Sequence, residues 1–170
     1  MRSIQNLVQI SLNEYLTPGD LAIDATIRHG DITRFLASRV GDTGKVLAFS
    51  DTKSEIDDVA TSLFLSGLNE RVDLISKNFA NIPAYMDPTR PVGAAIFQLD
   101  EKTPTVDVEA VVKSLLMVLK TDGLLCLLSE DDSLLSPIKN YLAKLPENSY
   151  SVAYYQDVLA QNSALVVQRH

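Results

Sequence analysis

Apolar side chains recur along the chain with changing spacing. At the N-terminus they fall at Ile4, Leu7, Val8, Leu12, Tyr15 and Leu16, one face of a helix, and the turn residues "TPGD" at 17–20 stop it. Beyond that turn come short apolar runs, "LAIDA" (21–25), "KVLAF" (45–49), "VDLIS" (72–76), "GAAIFQL" (93–99) and "GLLCLL" (123–128). Each is too short for an ordinary helix and is bounded by turn residues, which predicts strands. Helical stripes lie between them. Ile56, Val59, Ala60, Leu63, Phe64 and Leu68 predict a helix over 54–67, and another is expected to begin near Asp31. Val108, Val111, Val112, Leu115, Leu116 and Leu119 predict one that runs up to the stop "KTDG", and Leu134, Leu135, Ile138, Tyr141, Leu142 and Leu145 predict one ended by Pro146. The three prolines of "ANIPAYMDPTRP" leave room there for a short helix only.

Strands alternating with helices indicate parallel strands joined by right-handed crossovers, with helices on both sheet faces. The end of the chain breaks the rule. "YSVAYYQDV" (150–158) and "ALVVQ" (164–168) read as strands separated by about five residues, whereas a parallel crossover needs a dozen or more. These two should pair antiparallel. The expected fold is α/β: a doubly wound, seven-stranded, mostly parallel sheet with one antiparallel strand near the C-terminus, formed by a single domain over 1–170.

Charge and cysteine content narrow the setting. A net charge of -7 argues against a broadly basic nucleic-acid surface, so an RNA partner would be gripped locally. Cys126, the only cysteine, sits inside an apolar run, which suits a packed side chain and a reducing, cytoplasmic location better than thiol catalysis. No apolar stretch reaches the roughly 20 residues of a membrane span, so no membrane partner is expected. His29 and His170 are the only histidines and have no metal-site spacing.

In open α/β sheets ligands bind beyond the carboxyl ends of the strands. The residues there are "DATIRHGD", "SDTK", "SKNF", "QLDEK" and "SEDD". Asp24, Thr26, Gly30 and Asp31 flank the first turn and the helix N-terminus that follows. Asp24 and Asp31 have a second reading, in which Asp24 orders the turn and Asp31 caps its helix. Ser50 and Asp51 stand where an acid can receive a ribose diol, although Asp51 or Ser54 could instead cap the helix over 54–67. Lys77 and Asn78 could meet a base edge, with a solvated lysine as the alternative, and Gln98 and Asp100 stand where a second substrate would react. "EDD" at 130–132 reads as a helix start whose carboxylates offset the dipole.

With the first turn and the strand order in view, the chain resembles the class I S-adenosylmethionine-dependent methyltransferases. Within them it is most similar to small bacterial rRNA-methylase-type proteins associated with methylation of the aminomethyl group of a tRNA wobble uridine. The likeness covers nearly all of 12–170: "GDLAIDATIRHGDITRFLASRVGDTGKVLAF" follows that family's "GD-x-VVDAT-x-GNG-x-DT-x-FLA … G-x-VYAFD", "ERVDLISKNFANI" and "AAIFQL" fall at "RV-x-LIHDSHENL" and "AAMFNLGYLPGGD", and "YQDVLAQNSALVV" falls at a closing strand pair around "N-x-PP". The departures lie on the ligand side. Arg28 and His29 replace "GN", Ser50 replaces the acid after the second strand with Asp51 one place later, Ser76, Lys77 and Asn78 replace "HDS", "QLDEKTPTVD" replaces "NLGYLPGGD", and the double proline is missing.

The resemblance implies S-adenosylmethionine as cofactor and methyl transfer to RNA, tRNA or rRNA, with a homodimer as one assembly. It places Asp24, Thr26, Gly30 and Asp31 around the methionine, Ser50 and Asp51 at the ribose, Lys77 and Asn78 at the adenine, and Gln98 toward the acceptor in the catalytic position, with no metal. A framework kept beside an altered site also fits a catalytically inactive relative that serves as a binding or dimerisation module. A nucleotide-binding oxidoreductase fits less well, since the glycine-rich fingerprint is absent and the ending is antiparallel.

Overall fold

The computed structural model describes residues 1–170. Seven strands, β1 (Leu21–Asp24), β2 (Lys45–Phe49), β3 (Val72–Ile75), β4 (Val92–Leu99), β5 (Leu119–Ser129), β6 (Tyr150–Gln156) and β7 (Ser163–Arg169), form one sheet. Its order is β3-β2-β1-β4-β5-β7-β6. β7 runs antiparallel to both β5 and β6, and the remaining pairs are parallel. The short link after β6 permits nothing else.

Helices α1 (Ile4–Tyr15), α2 (Asp31–Val40) and α3 (Lys53–Leu65) cover one face, and α4 (Thr105–Leu116), α5 (Ser136–Leu142) and a 3₁₀ segment at Phe79–Tyr85 cover the other. Each strand divides its side chains between the two layers by its period of two. In β4, Ala95, Phe97 and Leu99 join the core under α4, while Ala94 and Ile96 join the core under α1 to α3. Ala22, Ala48, Ala94 and Ala164 all point to the α1–α3 side, and such small side chains let those helices lie close to the sheet. No helix is long and apolar enough to cross a membrane.

Two local expectations change and a third is met. "KTDG" does not separate a helix from a strand: β5 already begins at Leu119, paired with Val92, and a bulge with Asp122 at φ 65° precedes the next pair, Ala94 with Leu124. The extra residues are absorbed as strand irregularity because their flanks bond to β4. The helix expected over 134–145 is only α5, since Pro137 restricts its entry and a 3₁₀ turn at Asp132–Leu135 precedes it, with Asp131 accepting from the Ser133 amide. The prolines after β3 give the 3₁₀ segment, with Pro83 inside it.

Candidate functional site

The strand order reverses between β1 and β4, and this is where an open α/β sheet leaves a crevice. Two cavities open there, both at the carboxyl ends of the strands. The smaller, about 300 Å³, lies past β1 and β2 and is lined among others by Thr26, Ser50, Asp51, Glu55, Asn78 and Phe79. The larger, about 340 Å³, lies past β4 and β5 and at the amino end of the antiparallel β7, and is lined by Gln5, His29, Gln98, Glu130, Asn162 and Ser163 among others. Arg28 and Asp100 border both.

Asp24 closes β1 with its carboxylate almost fully buried. One oxygen accepts from the Thr33 hydroxyl at 2.6 Å and the other from the Thr26 amide at 3.3 Å. Burial pushes its pKa from 3.8 to about 6, against the hydrogen bonds from Thr33 and Thr26 and the charge of Arg28, all of which favour ionisation, while the Glu55 carboxylate adds to the upward push. Thr26 ties the turn to the neighbouring strand, its hydroxyl accepting from the Gln98 amide at 2.7 Å.

Gly30, not Asp31, occupies the cap position of α2. Its φ of 88° is left-handed, and a Cβ there would stand 2.9 Å from both a Val59 methyl and the Arg34 guanidinium. Asp31 is the first helical residue, lies outside both cavities and pairs with Arg34. Arg28 has ordinary backbone, since Asp122 and Gln161 are the only non-glycine residues with positive φ. Its side chain crosses from the β1 turn to the end of β4. There Nη2 donates to the Gln98 carbonyl at 2.5 Å and Nη1 lies 3.2 Å from the Asp100 carboxylate. Burial opposes ionisation of Asp100 but is outweighed by bonds from the Lys102 amide and the Thr103 hydroxyl and by Arg28, so its pKa lies below the ordinary range. The ion pair forms a partition between the two cavities.

Past β2, neither Asp51 nor Ser54 caps α3. Thr52 holds the cap position without using its side chain, and the Ser50 hydroxyl accepts from the Thr52 amide at 3.0 Å and donates to Glu55 at 2.7 Å. Asn78 lines the smaller cavity while its side chain accepts from the Ala80 amide to cap the 3₁₀ segment. Lys77 lies outside both cavities, exposed, with its ammonium 5.7 Å from the Tyr85 ring. Gln98 lines the larger cavity.

Comparison with solved structures bears on this geometry. An rRNA-methylase candidate from Clostridium thermocellum superposes with a TM-score of 0.92 at 20% identity, over 100% of this chain and 99% of that one. A methyltransferase candidate from Streptococcus mutans, determined in complex with SAH, gives 0.89 at 22% identity over 100% and 99%. An rRNA methylase from Streptococcus thermophilus gives 0.87 at 22% identity over 99% and 98%. The fold is the Rossmann-like methyltransferase fold. No protein-family profile matches the sequence.

Within the methyltransferase fold, the smaller cavity spans the turns after β1 and β2 and the 3₁₀ segment after β3, and the larger faces it across Arg28 and Asp100. Several of the lining residues are not conspicuous in the sequence. Glu55 reads there as a helix-start acid, and its bond to Ser50 is the only sign of another role. Asn162 stands at the asparagine of the "N-x-PP" pattern, a signal of position without chemistry. In the structure the Asn162 side-chain oxygen and the Ser163 hydroxyl are buried with no hydrogen-bond partner and border the larger cavity.

Proposed function

We propose that this protein binds S-adenosylmethionine in the smaller cavity and transfers its methyl group to an RNA acceptor, of tRNA or rRNA type, that enters the larger one. The observation that carries the reading is the pair of cavities at the β1/β4 reversal, one partition apart. The smaller is within the size range of small-molecule sites. Its residues suit a nucleoside with a charged amino-acid tail: the carboxylates of Glu55 and Asp51 accept from hydroxyl or ammonium donors, and Phe49 and Phe79 offer apolar flanks for a flat base. The relatives' names support the reading.

In this reading Thr26 lines the amino-acid end, with Asp24 and Gly30 behind the cavity wall holding its turn, Ser50 and the turn after it form the ribose end, and Asn78 the base end. Gln98 faces the acceptor. The cofactor, when bound, supplies an electrophilic methyl carbon, and the protein's task is to align the acceptor with it. Thr26 contributes by clamping the β1 turn to β4, which fixes the distance between the two cavities. The unpartnered oxygens of Asn162 and Ser163 can receive donors from an acceptor group, a better state for them than unmet burial.

Calorimetric titration with S-adenosylmethionine and S-adenosylhomocysteine tests the reading, together with transfer of radiolabelled methyl to bulk tRNA and rRNA. Binding without transfer would favour a second reading that the Arg28–Asp100 partition itself supports: a methyltransferase-like module that binds a partner and does not turn over. Absence of binding would refute the cofactor assignment.

A further inference from the structure

We propose that Glu55, not an acid directly after β2, is the carboxylate that receives the ribose hydroxyls of the nucleoside ligand, with Ser50 as its positioning residue. The inference rests on the cofactor-site reading above and names the group that sets its sugar specificity.

The first residue past β2 is the uncharged Ser50, only 7% exposed. Its hydroxyl has one proton, and that proton goes to a Glu55 carboxylate oxygen at 2.7 Å, while the Thr52 amide donates to the hydroxyl at 3.0 Å. The arrangement holds the Glu55 side chain in one direction and leaves its second oxygen without a protein donor. Glu55 is half-buried and lines the smaller cavity beside Thr26, Ser50 and Asn78. It lies near enough to the buried Asp24 for its charge to disfavour ionisation there.

Asp51, the other candidate, also lines the cavity but is exposed and has no partner to orient it, and a hydrated carboxylate recognises a diol less well because ordering and dehydration offset what it gains. As the third residue of α3, Glu55 also complements the helix dipole. That role requires a negative charge near the helix start but no bond to Ser50 and no place in the cavity wall.

The test titrates S-adenosylhomocysteine and its 2′-deoxy analogue into the full-length wild type, Glu55→Gln, Asp51→Asn, Ser50→Ala and Ser50→Thr, with thermal unfolding to confirm that each is folded. Wild type should prefer the ribose ligand by about tenfold, the scale of one charge-assisted hydrogen bond. Glu55→Gln should lose most of that preference. Ser50→Ala should reduce it and Ser50→Thr, which keeps the hydroxyl, restore it, a pattern that loss of packing alone would not produce. Retention of the preference in Glu55→Gln, or its loss in Asp51→Asn instead, would overturn the assignment while leaving the cofactor site standing. Failure of every form to bind S-adenosylhomocysteine would overturn the cofactor reading and this assignment together.

Discussion

Replacing Arg28 by glycine removes the partition between the two cavities and tests what the guanidinium is for. In the structure it is already satisfied, by the Gln98 carbonyl at 2.5 Å and the Asp100 carboxylate at 3.2 Å. It therefore presents no free charge to a ligand carboxylate. The side chains of the pair are 32% and 41% exposed, so solvent screening limits the ion pair to at most about 1 kcal/mol, and glycine adds roughly 0.5–1 kcal/mol of backbone disorder. Stability should fall by about 1–2 kcal/mol. Binding should move the other way. With Arg28 gone, the Gln98 carbonyl and Asp100 become acceptors for the ammonium of the amino-acid tail, and a charge-assisted bond contributes roughly 1.5–3 kcal/mol before the cost of ordering the ligand. A net gain of about 1.4 kcal/mol, or tenfold in affinity for S-adenosylhomocysteine, is expected. Parallel calorimetric titration of wild type and Arg28→Gly, with thermal unfolding of both, measures the two effects. Weaker binding in the variant would refute the reasoning and mean that the guanidinium turns to hold the ligand carboxylate. Equal affinities would show that the partition does not impede the ligand.

Asp24, buried at the end of β1, is a pH-sensitive group. Its pKa is raised from 3.8 to about 6, so its contribution to stability is complete below about pH 4 and is lost as pH rises through 6; at neutral pH the loss is on the order of 3 kcal/mol. Asp24→Asn should therefore gain stability relative to wild type between pH 4 and 7 in denaturant unfolding, and a constant difference would contradict the burial argument. A cationic ligand favours the ionised form, so S-adenosylmethionine affinity should rise from pH 5 to 7 in wild type and stay flat in Asp24→Asn. Gly30→Ala should lower stability by about 2 kcal/mol from left-handed strain plus the 2.9 Å contacts with Val59 and Arg34, read as a drop in Tm; an unchanged Tm would mean the turn relaxes freely. Cys126 is buried and its thiol is pushed up to about 12, so a thiol reagent should label it only at the rate of unfolding, and rapid native labelling would show that the core under β5 opens. If RNA is the acceptor, its binding should be modest and weaken with added salt through loss of phosphate contacts, and salt-independent binding would exclude a phosphate-led mode.

The alternation of strand runs and helical stripes was enough to place all seven strands within a few residues, because each buried strand must be apolar over its own length and each covering helix on one face. The antiparallel β7 was legible for an equally local reason, a link too short for a crossover. The β5 bulge was not, since "KTDG" has turn chemistry and only pairing of Leu119 with Val92 makes it part of a strand. The site divides in the same way. Thr26, Ser50 and Asn78 follow strands and Asp24 ends one, so the sequence places them at the carboxyl edge of the sheet, but the destination of a side chain depends on partners remote in sequence. Arg28 ends on a carbonyl 70 residues further along the chain, and Lys77 turns to Tyr85 and away from the cavities. Glu55 looks like any acid at a helix start until Ser50 is seen to hold it in the cavity wall. Hydrophobic spacing records how deeply each position is buried, averaged over everything around it, whereas a partition between two cavities exists only when the ends of β1 and β4 lie side by side, and that adjacency is a property of the folded sheet.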